Sequence, residues 1–124
     1  MENLVSGKEV VVILSVSSDI GNFIARKYLA QGATVIGTYR NDENLKDLKN
    51  KENLYLFYCD LSKKESILDF VRKFKENEFR WNLFISCVGN PLPLRDFFEG
   101  DFDEWSESVN INSISQLKVL HGLY

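Results

Sequence analysis

The stretch Ile13-Leu14-Ser15-Val16-Ser17-Ser18-Asp19-Ile20-Gly21 constrains this chain more than any other. Val10 to Leu14 is an unbroken apolar block rich in β-branched residues, the pattern of a strand buried on both faces, and a segment of helical period follows. The stretch therefore spans a strand-to-helix junction. In a parallel sheet such a junction turns the N–H groups of a helix start toward whatever sits above the strand ends, which makes it a natural anion site.

The rest of the chain supplies a sheet around that junction. The first strand runs from about Lys8 to Ser15. From Asp19, a good N-cap residue, to Gln31, the apolar positions Ile20, Phe23, Ile24 and Tyr28 recur at helical spacing, and Gly32 stands where a helix C′ glycine is favoured. Thr34 to Tyr39 is a second strand. The polar stretch from Asn41 to Asn50, with leucines at 45 and 48, reads as a short exposed helix. Leu54 to Cys59 is a third strand, and Ser62-Lys63-Lys64-Glu65 matches a capping box for a helix with the stripe Ile67, Phe70, Val71 and Phe74. Leu83 to Cys87 is a fourth strand, Gly89 to Gly100 a proline-containing loop, and the segment from Asp101 onward one long helix.

Strands alternating with helices imply right-handed crossovers and a parallel sheet covered on both faces. A doubly wound order of 3-2-1-4 puts a crevice between strands one and four, and ligands in such sheets bind outside the carboxyl ends of the strands at that switch point. The opening stretch and the residues after Cys87 meet there.

Composition narrows the function classes. At 124 residues, one domain spanning 1–124 is expected. No apolar run approaches the roughly 20 residues that span a bilayer, and the N-terminus has no signal-like pattern, so a cytoplasmic, membrane-free protein is expected. A net charge of −3 argues against a broad nucleic-acid-binding face. One histidine leaves little for a metal site, and Cys59 and Cys87, at the ends of strand-like runs, read as reduced core thiols.

In order and spacing these features resemble the short-chain dehydrogenase/reductase family over nearly the whole chain, and with it a Rossmann-like fold. The family's Thr-Gly-x-x-x-Gly-x-Gly motif falls on Leu14 to Gly21 and keeps only the last glycine. Its aspartate after strand three matches Asp60, in Cys59-Asp60-Leu61-Ser62. Its Asn-Asn-Ala-Gly motif matches Ser86-Cys87-Val88-Gly89, and its helix-four asparagine matches Asn112, seven residues after Trp105. The resemblance implies cofactor contacts at Ser15, Ser17, Ser18, Ile20, Gly21, Tyr39, Arg40, Asp60, Leu61, Val88 and Gly89, and an organising role in catalysis for Asn112.

Several of these residues have a plain structural reading as well. Ser15 replaces a glycine that permits a tight turn; where that position needs positive φ, a serine costs about 1–2 kcal/mol. Asp19 serves as a helix cap, yet a carboxylate some ~5 Å from a phosphate would cost about 3 kcal/mol at an effective dielectric near 20. Dinucleotide affinity is then reduced unless Asp19 points away. Ser17 and Ser18 either donate to a phosphate or satisfy helix N–H groups, and Asp60 either contacts adenine or belongs to its turn. Arg40 follows Tyr39 where NAD-preferring members carry an acid, and a guanidinium there pairs with the 2′-phosphate of NADP, so NADP(H) is favoured over NAD(H). Asn112 continues the stripe 102, 105, 109 and is expected to face inward; Phe102 and Trp105 read as core. His121 suits a helix C-terminus.

The family's catalytic serine and Tyr-x-x-x-Lys pair are not found. None of Tyr28, Tyr39, Tyr55 or Tyr58 has a lysine four positions later, and Tyr124 ends the chain. The chain is expected to stop before a fifth strand, to be the cofactor-binding half of a carbonyl/alcohol oxidoreductase, and to be inactive alone, with a small-molecule substrate only in a longer parent. Its fourth strand is then a sheet edge beside an exposed apolar patch, and the family's habit implies a homo-oligomer through segment 101–124. A non-enzymatic Rossmann-like binding or assembly module stays open, as does, less well supported, a flavodoxin-like or receiver-like domain.

Overall fold

The structure, a computed structural model, describes residues 9–48, 51–89 and 97–124. Four parallel strands, β1 (Val10–Leu14), β2 (Thr34–Tyr39), β3 (Leu54–Tyr58) and β4 (Leu83–Ser86), form one sheet in the order β3-β2-β1-β4, as the alternating pattern predicts. β1 is central. It pairs Val11 with Val35 on one side and with Leu83 on the other. Val11, Val12, Ile13 and Leu14 are completely buried, which explains why the block carries no polar alternation.

The period-two alternation of β1 splits the core into two layers. Val12 and Leu14 face a cluster with Ile36, Ile67, Phe70, Phe74, Val119 and Leu123. Val11 and Ile13 face Val16, Ala25, Val35, Leu45 and Leu48. The first layer is closed by helices α2 (Lys64–Glu76) and α4 (Ser115–Leu123), the second by helix α1 (Asp19–Ala30). Gly32 takes φ 89°, the left-handed conformation expected of a C′ glycine.

Four local expectations need correction. Residues 41–48 form successive turns rather than an exposed helix; residues 49–50 of that expectation lie outside the described residues. The side chain of Asn41 accepts the Glu43 N–H at 2.9 Å, a local bond that competes with helix, and Leu45 and Leu48 are buried in the second layer. The N-cap of α1 is Ser18, not Asp19: its hydroxyl accepts the Gly21 N–H, and Asp19 is a first-turn acid instead. Ser62 does not close a capping box. Asp60 captures both the N–H and the hydroxyl of Ser62, at 3.0 and 2.7 Å, and the N-cap of α2 is Lys63, which makes no side-chain capping bond.

The fourth correction concerns the last helix. Helix α3 (Phe102–Val109), capped by Asp101, passes into a π-helical turn at Asn110–Ile114 before α4 begins. The extra residue shifts the sequence pattern of α3 by one position against that of α4. Asn112 is exposed rather than inward, as are Phe102 and Val109 of the stripe it continues, and its amide donates to Ser108 Oγ at 3.0 Å. Phe102 is 67% exposed, which removes it from the expected core, and Trp105 is half-buried. In the expected proline-containing loop, residues 90–96 lie outside the described residues, and Phe97–Glu99 is a single 3-10 turn.

Candidate functional site

The carboxyl ends of all four strands open into one crevice of about 510 Å³, within the roughly 300–1,000 Å³ typical of small-molecule sites. Ser15, Ser17 and Ser18 line it after β1, Thr38 to Asn41 at the end of β2 and just beyond, Cys59 to Ser62 after β3, and Cys87 to Gly89 after β4. Nine of the eleven residues expected to touch a cofactor are thus brought together: Ser15, Ser17, Ser18, Tyr39, Arg40, Asp60, Leu61, Val88 and Gly89. Ile20 and Gly21 do not line it. Ile20 is 68% exposed, and Gly21 is buried beneath the turn. Asn112 is not in the lining either; its neighbour Ile111 is.

The turn itself is built around Ser15. Its φ is 70°, the conformation in which a serine is strained by about 1–2 kcal/mol. Buried Thr38 holds it there: Thr38 Oγ1 accepts the Ser15 N–H at 3.0 Å, and the Thr38 carbonyl accepts the Val16 N–H at 2.8 Å. Below it, the Ser18 hydroxyl donates to the Ser15 carbonyl at 2.9 Å and accepts from Gly21 N at 3.0 Å. The Ser18 hydroxyl thus satisfies a helix N–H while its residue lines the crevice.

Asp19 lines a different cleft, with Asn22, Arg26, Glu43, Asn44, Lys46 and Asp47, and not the crevice at the strand ends. Arg40 is exposed at the end of β2, and its charge acts on Asp60 across the crevice. Burial works against the Asp60 carboxylate, but the Ser62 hydroxyl and N–H, with the charges of Arg40 and Lys63, outweigh it and hold the pKa below its ordinary value. Asp60 therefore both organises its turn and presents an ionised group to the crevice.

Both cysteines are free thiols, as expected. Burial, reinforced by the Asp60 charge, pushes the Cys59 thiol up to about 12, and burial also raises Cys87. They sit after β3 and β4, which are separated by two strands. Three strand spacings of about 4.8 Å exceed the roughly 7 Å Cα limit for a disulfide.

Sequence reasoning missed Thr38, Asn41, Cys59, Ser62, Cys87 and Ile111 as lining residues. It also missed Gln116, which ties the π turn to the end of β4 by accepting from the Ser86 hydroxyl and donating to the carbonyls of Ile111 (3.0 Å) and Val88 (3.4 Å). A polar residue on the inner side of α4 was the available signal. Among the described residues no group of three or more His, Cys, Asp or Glu side chains is placed to hold a metal ion, and no helix is long and apolar enough to cross a membrane.

Comparison with known proteins agrees with this arrangement. The family model described as short chain dehydrogenase matches residues 9–124. The NADP-dependent 3-hydroxy acid dehydrogenase YdfG of Escherichia coli O6:H1 is 22% identical over 106 residues, 84% of this chain and 43% of that protein. An uncharacterized oxidoreductase of Staphylococcus saprophyticus is 27% identical over 121 residues, 93% of this chain and 51% of that one. A short chain dehydrogenase from Leptospira borgpetersenii, solved with bound NAD+, superposes with a TM-score of 0.80 at 19% identity, covering 94% of this chain and 44% of that chain. The chain spans about half the length of these proteins.

Proposed function

This chain belongs to the short chain dehydrogenase family, and from that premise we propose that its strand-end crevice binds a nicotinamide dinucleotide, NADP(H) in preference to NAD(H). The observation that carries the reading is the convergence of the Ser15–Ser18 turn, Arg40 and Asp60 on one crevice from which Asp19 is turned away. The Ser15–Ser18 turn that leads into α1 supplies the pyrophosphate side of the crevice, and Arg40 supplies the guanidinium for a 2′-phosphate. Asp60 and Leu61 are assigned to the adenine side, Val88 and Gly89 to the nicotinamide side. The Escherichia coli relative is named for NADP dependence and the Leptospira structure holds NAD+, which supports the dinucleotide class.

The dinucleotide supplies or accepts hydride in carbonyl or alcohol chemistry; the residues of this chain bind and orient it. Ser18 and Thr38 hold the turn open, and Asp60, kept ionised, presents an acceptor. Turnover in this reading belongs to a longer protein that adds the Ser and Tyr-x-x-x-Lys groups, to which Asn112 contributes its organising role. Calorimetric titration of the 124-residue chain with NADPH and NADH tests the reading. Binding of NADPH that is lost in Arg40→Ala supports it; no binding of either at millimolar concentration overturns it. The latter result supports a non-enzymatic module, a reading favoured by the serine that occupies the left-handed position of the turn.

We assign a second copy of the chain as the partner of the last helix. Phe102, Val109, Ile114 and Leu117 are exposed there. The N-terminal half carries Asp101, Asp103, Glu104 and Glu107, and the C-terminal half Lys118 and His121, so an antiparallel pair of these helices matches acid to base. Sedimentation as a monomer at micromolar concentration overturns this assignment.

A further inference from the structure

Two asparagines outside the crevice join its walls. Asn22, 7% exposed on α1, donates from Nδ2 to the Asn44 carbonyl at 3.0 Å, while its Oδ1 accepts from Arg26 Nε at 2.8 Å. Asn44 returns the tie: its own Nδ2 donates to the Ser17 carbonyl at 3.1 Å. The backbone of residue 44 is held from below by Leu45, 2% exposed. Helix α1, the turns at 41–48 and the Ser15–Ser18 turn are therefore closed into one ring.

That ring spans the gap between the two cationic or amide-rich walls of the crevice. Ser17 lies in the turn after β1, and Arg40 lies four residues before Asn44 on the segment that leaves β2. Between them, Asn41 Oδ1 accepts the Glu43 N–H, which stiffens the connection from Arg40 to Asn44. We propose that Asn22 and Asn44 are positioning residues that set cofactor discrimination, fixing the 41–48 turns so that Arg40 stands at a defined distance from the phosphate turn. This rests on the cofactor reading above. An untied Arg40 segment must be ordered on binding, and that cost falls on the ligand that uses the guanidinium, the one bearing a 2′-phosphate. Binding of NADH, which makes no such contact, is spared.

The test titrates NADPH and NADH into the unmodified chain, Asn44→Ala, Asn22→Ala, Arg40→Ala and the double variant Asn44→Ala/Arg40→Ala. Asn44 is exposed, so its truncation leaves the fold intact; Asn22→Ala breaks the other tie independently. The expected result is an NADPH Kd raised about tenfold in either asparagine variant with NADH little changed, the loss of about one hydrogen bond's worth of order. In the Arg40→Ala background the Asn44 effect disappears, which a general loss of stability does not produce. An unchanged NADPH-to-NADH ratio, whether both affinities fall together or neither moves, overturns the proposal. So does an Asn44 effect that persists undiminished without Arg40. An unmodified chain that binds neither cofactor, or both alike, overturns the underlying reading instead and removes the role along with it.

Discussion

A Cβ placed on Gly21 falls 2.0 Å from the carbonyl oxygen of Ser15. Helix α1 and the end of β1 approach each other too closely there for any side chain, so the single glycine kept from the family motif is required by packing.

Gly21→Ala is accordingly expected to be severe. The oxygen it meets is backbone, and the Ser15 turn moves only by breaking its bonds to Thr38 and Ser18. Urea unfolding is expected to show a loss of about 3 kcal/mol or more, the scale of overpacking a rigid site.

Ser15→Gly acts in the opposite direction. The residue already sits at φ 70°, so glycine relieves the left-handed strain while adding backbone entropy to the unfolded chain. The balance is a stabilisation of up to about 1 kcal/mol. Removal of the hydroxymethyl group also opens the turn, and calorimetry is expected to show tighter NADPH binding.

Arg40→Ala tests the cofactor preference directly. Loss of a charged contact to the 2′-phosphate raises the NADPH Kd by about 10- to 100-fold and leaves NADH binding nearly unchanged. An equal loss for both cofactors refutes the assignment of Arg40.

The two thiols are expected to separate kinetically. At pH 8 Cys87, half-buried in the crevice, reacts with a disulfide reagent ahead of Cys59, and NADPH slows the Cys87 phase. Cys59, pushed up to about 12 by burial, stays protonated and reacts only as the chain opens. Because its folded pKa lies above its ordinary value, its contribution to stability is complete below pH ~8.5 and drains away as pH rises toward the folded value.

Asp60 gives the mirror-image dependence. Its pKa is lowered in the folded chain, so it contributes stability above its ordinary pKa of about 4 and loses it as pH falls through the folded value. Asp60→Asn is expected to be less stable than the parent at pH 7, and the two unfolding curves converge below pH 4.

How much of this was legible beforehand follows from how local each signal was. The apolar block at Val11–Leu14, the alternation of strands and helices and the strand-end positions of Arg40 and Asp60 are properties of short windows, and the sheet order with its switch-point crevice followed from them. Competition between neighbours was harder to read. Ser62 looked like a cap until Asp60, two residues earlier, proved the stronger acceptor. Asn22 and Asn44 were silent because their meaning depends on each other across 22 positions. The inward reading of Asn112 rested on the stripe 102, 105, 109, whose Phe102 and Val109 are themselves exposed, so apolar spacing alone did not tell an inner face from an outer one.

The π turn at Asn110–Ile114 sets a rule for length changes in the last helix. A π turn is one helical turn holding one residue more than the α-helical period needs, so deleting one residue between 110 and 114 restores a regular helix and leaves the segment before it facing as it did. Phe102 and Val109 would stay turned to solvent while Val119 and Leu123 stayed seated in the core. The spacing between Trp105 and Ser115 can thus be shortened by one residue within the π turn with both ends still facing their own surroundings, whereas a deletion in the regular helix on either side turns one end against the other by about 100°.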